Sequence, residues 1–260
     1  MKLHAVPART GLLWVQQGTR TFLRRPLALM GLFMLFMLVL SLLSLLPIVG
    51  NALAFALLPG LTVGLMQAAR EAADGKFPMP MVLLTAFRGP GADARSMLVL
   101  GAIYAIGSLA LAWLATLLAG PEAPPLIGPG PAGSDDLAQQ AAALRTILLQ
   151  MVLYLPLALL FWHAPALLHW HGVGPGKSLF FSLMACWTNR GALLVYLLTW
   201  GLVSLVCSLA AVTLGSLLGD LHTAIGLASV VGLTLSAMFC TSLYHTFRDS
   251  FVTDDGQPAA

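Results

Sequence analysis

The sequence predicts an all-α, polytopic membrane bundle of six transmembrane helices, with an N-terminal amphipathic helix and two cytoplasmic interfacial helices. Three observations carry that prediction. Of 260 residues, 58% are apolar and only 9% charged, where a soluble domain carries roughly 25% charged residues to keep its surface wet. The mean hydropathy is +0.88. The charges are also unevenly spaced, leaving five long windows free of Asp, Glu, Lys and Arg. A soluble cytosolic enzyme is excluded, and the count of spans replaces the count of domains.

A charge at the bilayer centre costs at least about 2.5 kcal/mol on insertion scales, so charge-free windows mark the spans. They hold 44 residues between Arg25 and Arg70, 26 between Arg95 and Glu122, 31 between Arg145 and Lys177, 29 between Arg190 and Asp220, and 27 between Asp220 and Arg248. A helix needs about 20 residues to cross the hydrocarbon. The last four windows therefore hold one span each, and the first holds two, divided near Leu46-Pro47-Ile48-Val49-Gly50. The expected spans are 27–46, 48–69, 97–119, 145–169, 191–218 and 223–244, in a membrane domain of residues 27–247 between a segment 1–26 and a cytoplasmic tail 248–260.

Six spans put both termini on one side. That side holds 12 of the 13 basic residues, Arg145 alone falling on the other. Lys and Arg are retained in the cytoplasm during insertion, so both termini are expected there. The apolar run from Leu27 to Leu46 is too long for a cleaved signal peptide.

Ahead of span 1, residues 10–25 set Leu12, Val15, Thr19, Phe22 and Leu23 on one helical side and Gln16, Gln17, Arg20 and Arg24 on the other. This reads as an interfacial helix whose arginines meet anionic lipid headgroups, with Trp14 at the same depth. The bland alternative is a short cytoplasmic helix packed on the bundle. Span 1 is Leu-, Met- and Phe-rich with few small residues, and is expected to face lipid. Span 2 carries Asn51, Pro59 and the pair Gly60 and Gly64, and is expected to pack inside with a kink at Pro59.

The loop from Arg70 to Arg95 is the most charged stretch, and Met81 to Arg88 is expected to form a short surface helix. Span 3 then sets Gly101, Ala105, Ser108, Ala112, Ala115 and Ala119 at alternating steps of 3 and 4, a packing seam of small residues. Gly120 to Ala143 is the one long external loop, where Ser134 or Asp135 is placed to cap the helix leading into span 4. Pro156 and Pro165 require at least one kink in span 4. The apolar run Ser178 to Trp187 is too short to cross and reads as an interfacial or re-entrant helix.

Span 5 repeats the seam as Gly201, Ser204, Ser208, Ala211, Gly215 and Gly219, and span 6 offers Gly226, Ser229, Ser236 and Cys240. Spans 3, 5 and 6 are therefore expected to be tightly packed neighbours or oligomer contacts. A weak echo relates the two units running from Pro59 through span 3 and from Pro165 through span 5, each a helix descending, an interfacial element and a helix returning. Chance resemblance between Leu-rich segments is the alternative.

Candidate chemistry is sparse. The string His171 to Ser178 ends like a phosphate-binding loop, but the glycine needed five positions before Gly176 is His171, and a spanning helix stands where a strand belongs. His163, His169 and His171 lack the spacing of a metal site. The turn holding Asp220 and His222 is read as solvated. No catalytic, cofactor or metal constellation emerges, and no nucleic-acid partner is needed to explain the net charge of +3. Asn51, Gln67, His163 and Asn189 lie in or near spans and are the candidates to line a polar cavity.

Pro7-Ala8-Arg9, Arg25-Pro26-Leu27-Ala28-Leu29, Gly75-Lys76-Phe77-Pro78-Met79-Pro80, Ala164-Pro165-Ala166-Leu167 and the stretch Phe180 to Asn189 resemble an uncharacterised family of six-span inner-membrane proteins of betaproteobacteria such as Burkholderia. In layout the chain is also distantly similar to the membrane domain attached to some glycerophosphodiester phosphodiesterases, which is not the catalytic one. The resemblance implies location and fold class and transfers no active-site residue. A membrane scaffold or partner-binding protein, binding a second copy or another membrane protein, is the leading expectation; a small-solute transporter, channel or lipid-handling protein is the alternative, and an intramembrane enzyme stands third.

Overall fold

A computed structural model of the chain describes residues 2–47, 49–88, 93–119, 137–219 and 221–252. In chain order these form β1 (Lys2–Leu3), α1 (Thr10–Arg24), α2 (Pro26–Ser44), α3 (Gly50–Ala73), a 3₁₀ segment (Pro80–Leu84), α4 (Ala94–Ala119), α5 (Leu137–Phe161), α6 (Ala164–His171), α7 (Pro175–Thr188), α8 (Arg190–Leu218), α9 (Leu221–Ser250) and β2 (Phe251–Val252). Six stretches are long and apolar enough to cross a membrane: Pro26–Ser44, Gly50–Ala73, Ala94–Leu118, Leu144–His171, Arg190–Leu218 and His222–Ser250. The architecture is an all-α polytopic bundle.

Several expected boundaries move for identifiable reasons. The fourth span is not one kinked helix but two, α5 and α6, broken at Trp162 and His163. Pro165 has no N–H to offer the preceding turn, and Ser182 of α7 fills the gap: its hydroxyl accepts from the His163 amide and donates to the Leu159 carbonyl, both at 2.9 Å. Helix α5 begins at Leu137 and runs through Arg145 into the span, as the sequence leads one to expect, so the external loop is shorter than 120–143. At the other end, α9 runs to Ser250, and Phe251 and Val252 pair antiparallel with Leu3 and Lys2. The residues expected to start a tail are thus helix and strand. Ser134, Asp135 and Asp220 fall outside the described residues.

The two glycines of α3 also act differently from the expected helix-to-helix contact. A Cβ on Gly60 would meet the Phe87 ring, and one on Gly64 would meet the Leu83 backbone. The chain from 80 to 88 forms a 3₁₀ segment followed by a turn, rather than a surface helix, because it is drawn onto α3 with Val82, Leu83 and Ala86 buried. Helix α3 is the most buried of the six spans and receives α2, α4, α6 and α9 around it.

Span 3 does not join spans 5 and 6. Gly101 of α4 sits on the Ala56 backbone of α3, where any Cβ would collide with the Ala56 carbonyl, and α4 packs on α3 and α5. Ser108 is buried, and its carbonyl accepts from the Tyr154 hydroxyl of α5 at 3.1 Å. Helices α8 and α9 pack on each other instead, closing tightly where Gly215 meets the Ala224 backbone. Two hairpins, α4–α5 and α8–α9, thus flank α3, the first through α4 and the second through α9.

Helix α1 follows the bland alternative of the sequence reading. Its buried strip is Gly11, Trp14, Val15, Gly18, Thr21 and Phe22, while Leu12 and Leu23 point outward. The strip is set by close approach: Gly11 lies against the Ala192 carbonyl and Gly18 against Ser242. Trp14, only 1% exposed, is core rather than an interfacial anchor.

Helix α7 is inside-out. Ser178, Ser182, Ala185 and Cys186 face the bundle, and the outer face carries Phe180 at 57% and Trp187 at 63% exposure, with Phe181 and Met184 between them. A helix that hides hydroxyls and displays aromatics has an apolar medium outside it, and at 14 residues it spans about 21 Å, too short to cross. Phe77, Met79 and Met81 protrude beside the 3₁₀ segment in the same manner. The two units proposed from the sequence echo thus share an order of helix, short apolar element and helix.

Candidate functional site

The four residues expected to line one polar cavity do not converge. Asn51 and Gln67 lie on one helix, sixteen positions and so about 24 Å apart. Gln67 donates to Glu71 at 3.3 Å within that helix. His163 is buried at the α5–α6 break, with its ring against Phe247 and Phe251. None of the four lines the clefts described below.

Asn189 has a different task. It sits between α7 and α8, 3% exposed, and its side chain holds both chain ends. Its Oδ1 accepts from the Val6 amide at 2.9 Å, and its Nδ2 donates to the His4 carbonyl at 3.0 Å and to Ser250 Oγ at 3.3 Å. An amide is the side chain suited to this, since it accepts and donates from one rigid plane.

Around this clasp the end of the bundle bearing both termini is knitted by polar contacts. The Trp14 indole donates to Asp249 at 3.0 Å. Arg248 donates to Asp249 at 2.9 Å and to Gln17 at 3.1 Å. Thr21 and His245 are hydrogen-bonded at 3.0 Å, Tyr196 and Ser242 at 2.7 Å, and the Trp162 indole donates to Thr246 at 3.3 Å. Cys186 is on the bundle-facing side of α7, where burial pushes its thiol up to about 12, as expected of a packing residue.

The other half of the molecule is open. Between α8 and α9 lies a cleft of about 370 Å³ lined by Trp200, Ser204, Ser208, Gly232, Ser236 and Phe239, with Leu235 and Cys240 completing it. A second cleft, about 290 Å³, sits where Pro59 of α3 faces Pro165 of α6, with Thr62, Tyr104, Phe161 and Phe239 in its walls. Phe239 belongs to both. Of the small residues singled out in the sequence, Gly60, Gly64, Gly101, Ser108 and Gly215 are consumed within the chain, whereas Ser204 and Ser208 line the open cleft and Gly201 has nothing within 4 Å of its Cβ position. Trp200 and Phe239 were not read from the sequence. The spacing of Trp200, Ser204 and Ser208, one turn apart each time, was the signal available.

Cation and phosphate sites find little support. Among the described residues no three His, Cys, Asp or Glu side chains come together to hold a metal. In the His171 to Ser178 string, Gly172 adopts a left-handed conformation (φ +62°) to end α6, and Pro175 starts α7. These glycines turn the chain.

The chain is 36% identical over 264 residues to a protein of Burkholderia thailandensis named a probable inner membrane protein, the match covering 99% of this chain and 97% of that one. The chain belongs to that inner-membrane protein family. No family model matches it and no solved structure matches it. Together with the six apolar spans, membership makes this an integral, multi-pass inner-membrane protein.

Proposed function

We propose that this family member is a membrane scaffold whose α8–α9 hairpin docks a transmembrane helix of another molecule. The observation that carries this reading is how its glycines are used. A helix-interior glycine costs about 1 kcal/mol relative to alanine, and Gly11, Gly18, Gly64, Gly101 and Gly215 return that cost through close backbone approach. Gly201, Gly226 and Gly232, all on the α8–α9 hairpin, meet nothing within the chain. In lipid, where no hydrophobic force draws helices together, close packing of small residues is a main source of association. An open face of this kind is a place for a helix.

In this reading both termini lie in the cytoplasm, because the knitted end carries 12 of the 13 basic residues. The outward aromatics of α7, flanked by Lys177 and Arg190, and the Phe77, Met79 and Met81 group, flanked by Lys76 and Arg88, rest on anionic lipid headgroups. The basic residues thereby have a partner without any nucleic acid. We assign the chain no reaction.

The test uses the full chain in native membranes with a photo-crosslinking residue at Leu205, exposed beside Ser204 and Ser208, and a control at Met151 on the outer face of α5. Position 205 is expected to give a discrete protein adduct and position 151 lipid adducts alone. Lipid adducts alone at 205 overturn the scaffold reading. The cleft between Pro59 and Pro165 favours a second reading, lipid handling, because two prolines hold it open at bilayer depth and its lining is apolar apart from Thr62 and the Tyr104 hydroxyl. Accelerated transbilayer movement of a labelled phospholipid in proteoliposomes, abolished by Thr62→Leu, is its expected signature.

A further inference from the structure

The cleft between Pro59 and Pro165 sets polar groups short of partners into an apolar wall. Proline has no N–H, so the carbonyls four residues before, Phe55 of α3 and Phe161 at the end of α5, lose their helical donors. No amide from outside their own helices turns to them among the described residues. A helical carbonyl points along the axis toward the residue four ahead, and here both of those residues, Pro59 and Pro165, are in the cleft wall. At the same break Ser182 serves Leu159 and His163 and leaves Phe161 unserved. On α4 the Tyr104 ring is also in the wall. Ser108, one turn further along and 0% exposed, has a hydroxyl with no hydrogen-bond partner; it neighbours the Tyr104 hydroxyl without the geometry of a bond. Thr62 donates to the Leu58 carbonyl at 2.8 Å, so its oxygen too is left to accept.

Charge, depth and size constrain what can meet these groups. None of the residues lining the cleft is charged. Arg70, Arg95 and Arg248 stand 11, 9 and 9 residues from Pro59, Tyr104 and Phe239, or about 14–17 Å along helices of 1.5 Å per residue. That is near the middle of a hydrocarbon core about 30 Å thick, where a phosphate or an ammonium would be an ion without a counter-ion. The freed carbonyls and Thr62 call for a donor, the Tyr104 and Ser108 hydroxyls for an acceptor, and a single hydroxyl group is both. The walls are braced, since Tyr104 meets Phe161 edge-on at 4.8 Å and Trp162 meets Phe239 at 6.2 Å. At about 290 Å³ the cleft falls at the lower end of the roughly 300–1,000 Å³ of ligand sites. It has room for the polar end and first methylenes of a chain.

We propose that this cleft binds an uncharged lipid with a free hydroxyl, of the long-chain alcohol class. The hydroxyl sits between the freed carbonyls of Phe55 and Phe161 and the Tyr104 and Ser108 pair, donating to the first and accepting from the second, while the chain runs out into the bilayer. The prolines thus do more than bend their helices: they supply acceptors at a depth where lipid offers none. The inference goes beyond the scaffold reading, which concerns the α8–α9 face. Beside the lipid-handling reading it names what the cleft holds rather than what it moves.

The experiment labels the full chain in phosphatidylcholine nanodiscs with hexadecanol carrying a diazirine beside its hydroxyl end, and maps the adducts by mass spectrometry. Saturable adducts are expected on residues 58–62, 104 and 158–165, displaced by unlabelled hexadecanol but not by equal amounts of hexadecane or hexadecanesulfonate. Tyr104→Phe, which keeps the ring, and Thr62→Val, which keeps the shape, are each expected to weaken binding about three- to tenfold, with the thermal midpoint unchanged to show that the fold survives. Displacement by hexadecane as effective as by hexadecanol overturns the polar recognition, and displacement by the sulfonate overturns the exclusion of charge. Unchanged affinity in both variants overturns the placement of the hydroxyl. Adducts that do not saturate and reach the outer face of α5 at Met151 equally overturn the site. None of these results alters the crosslink at Leu205, so the scaffold reading stands or falls separately.

Discussion

Replacing Asn189 with alanine is expected to release both ends of the chain. The substitution removes three hydrogen bonds, to the Val6 amide at 2.9 Å, the His4 carbonyl at 3.0 Å and Ser250 Oγ at 3.3 Å. Each contributes on the order of 1 kcal/mol net, and a donor left buried without a partner costs about 1–3 kcal/mol. The Val6 amide, part-buried, incurs the low end of that cost. The Ser250 contact is long and Ser250 retains its place in α9, so we discount it and arrive at about 3 kcal/mol for opening the terminal clasp. At 1.4 kcal/mol per factor of ten, amide protection of residues 4–6 and of the β1–β2 pair is expected to fall about 100-fold in hydrogen exchange on the protein in nanodiscs, while protection of α4, remote from the clasp, stays as it was. Asn189→Asp separates the contacts further, because it keeps the acceptor for Val6 and sets a carboxylate against the His4 carbonyl; its loss of protection is expected to be larger at His4 than at Val6. Unchanged exchange at residues 4–6 in the alanine variant would falsify the clasp.

Gly101→Ala places a Cβ on the Ala56 carbonyl, and the helices α3 and α4 must separate to admit it; overpacking of this kind costs about 1–3 kcal/mol, read as a lowered midpoint in detergent-driven unfolding. Gly201→Ala, with open space around the site, is expected to leave the same midpoint unchanged or slightly raised in the monomer, and a fall comparable to that of Gly101→Ala would show that the site is filled. Cys186, its thiol pushed up to about 12 by burial, carries almost no thiolate at pH 8 and is expected to resist maleimide until the protein is denatured; rapid labelling in the folded state would place α7 differently. The Ser96 hydroxyl, and after it the Ser96 amide that donates at 3.0 Å at the start of α4, hold the Asp93 carboxyl below the ordinary value of 3.8. Its stabilisation of that helix end is therefore complete above the ordinary carboxylate value and is lost as pH falls through the lowered one, so exchange of the first-turn amides of α4 should rise only in strong acid, and a rise already near pH 5 would contradict the cap.

What the sequence made legible was what depends on the distribution of charge and the limits of helix length. Gaps between charges located all six spans, because excluding ions from hydrocarbon is costly enough to leave a mark in any single sequence. Partner choice left no comparable mark. Small residues at helical spacing announce that a helix comes close, but Gly101 accommodates α3, Gly64 accommodates a 3₁₀ segment and Gly201 accommodates nothing in the chain, and the three read alike. The same holds for polar residues within spans. Asn189 was read as a candidate to line a polar cavity, but the groups that satisfy it include backbone atoms of His4 and Val6, more than 180 positions away, and backbone atoms carry no sequence signal. Helix α1 was misread for a related reason. Its apolar residues suggested one face, yet close packing of Gly11 on Ala192 and Gly18 on Ser242 rotated the helix so that glycine, not leucine, decided which side faces inward.

The two ends of this molecule are built on opposite terms, and the difference bears on how a scaffold works. At the end bearing the termini, side-chain hydrogen bonds join α1 and α8 to α9, and Asn189 ties the segment ahead of α1 to the end of α9. Toward the other end, α4–α5 and α8–α9 share little with each other; α4 is seated on α3 at Gly101, whereas α8 has α9 as its neighbour, with Gly215 against Ala224 closing that pair. Opening a hairpin costs only its internal packing, whereas displacing α1 breaks the contacts of Trp14, Gln17 and Thr21 together. The α8–α9 cleft therefore lies where opening is cheapest. A helix bound between α8 and α9 stiffens that pair without disturbing the clasp. Occupancy of the cleft should accordingly raise protection along residues 200–215 while leaving residues 2–6 and 245–252 untouched, and protection spreading to the termini would show that the two ends are coupled after all.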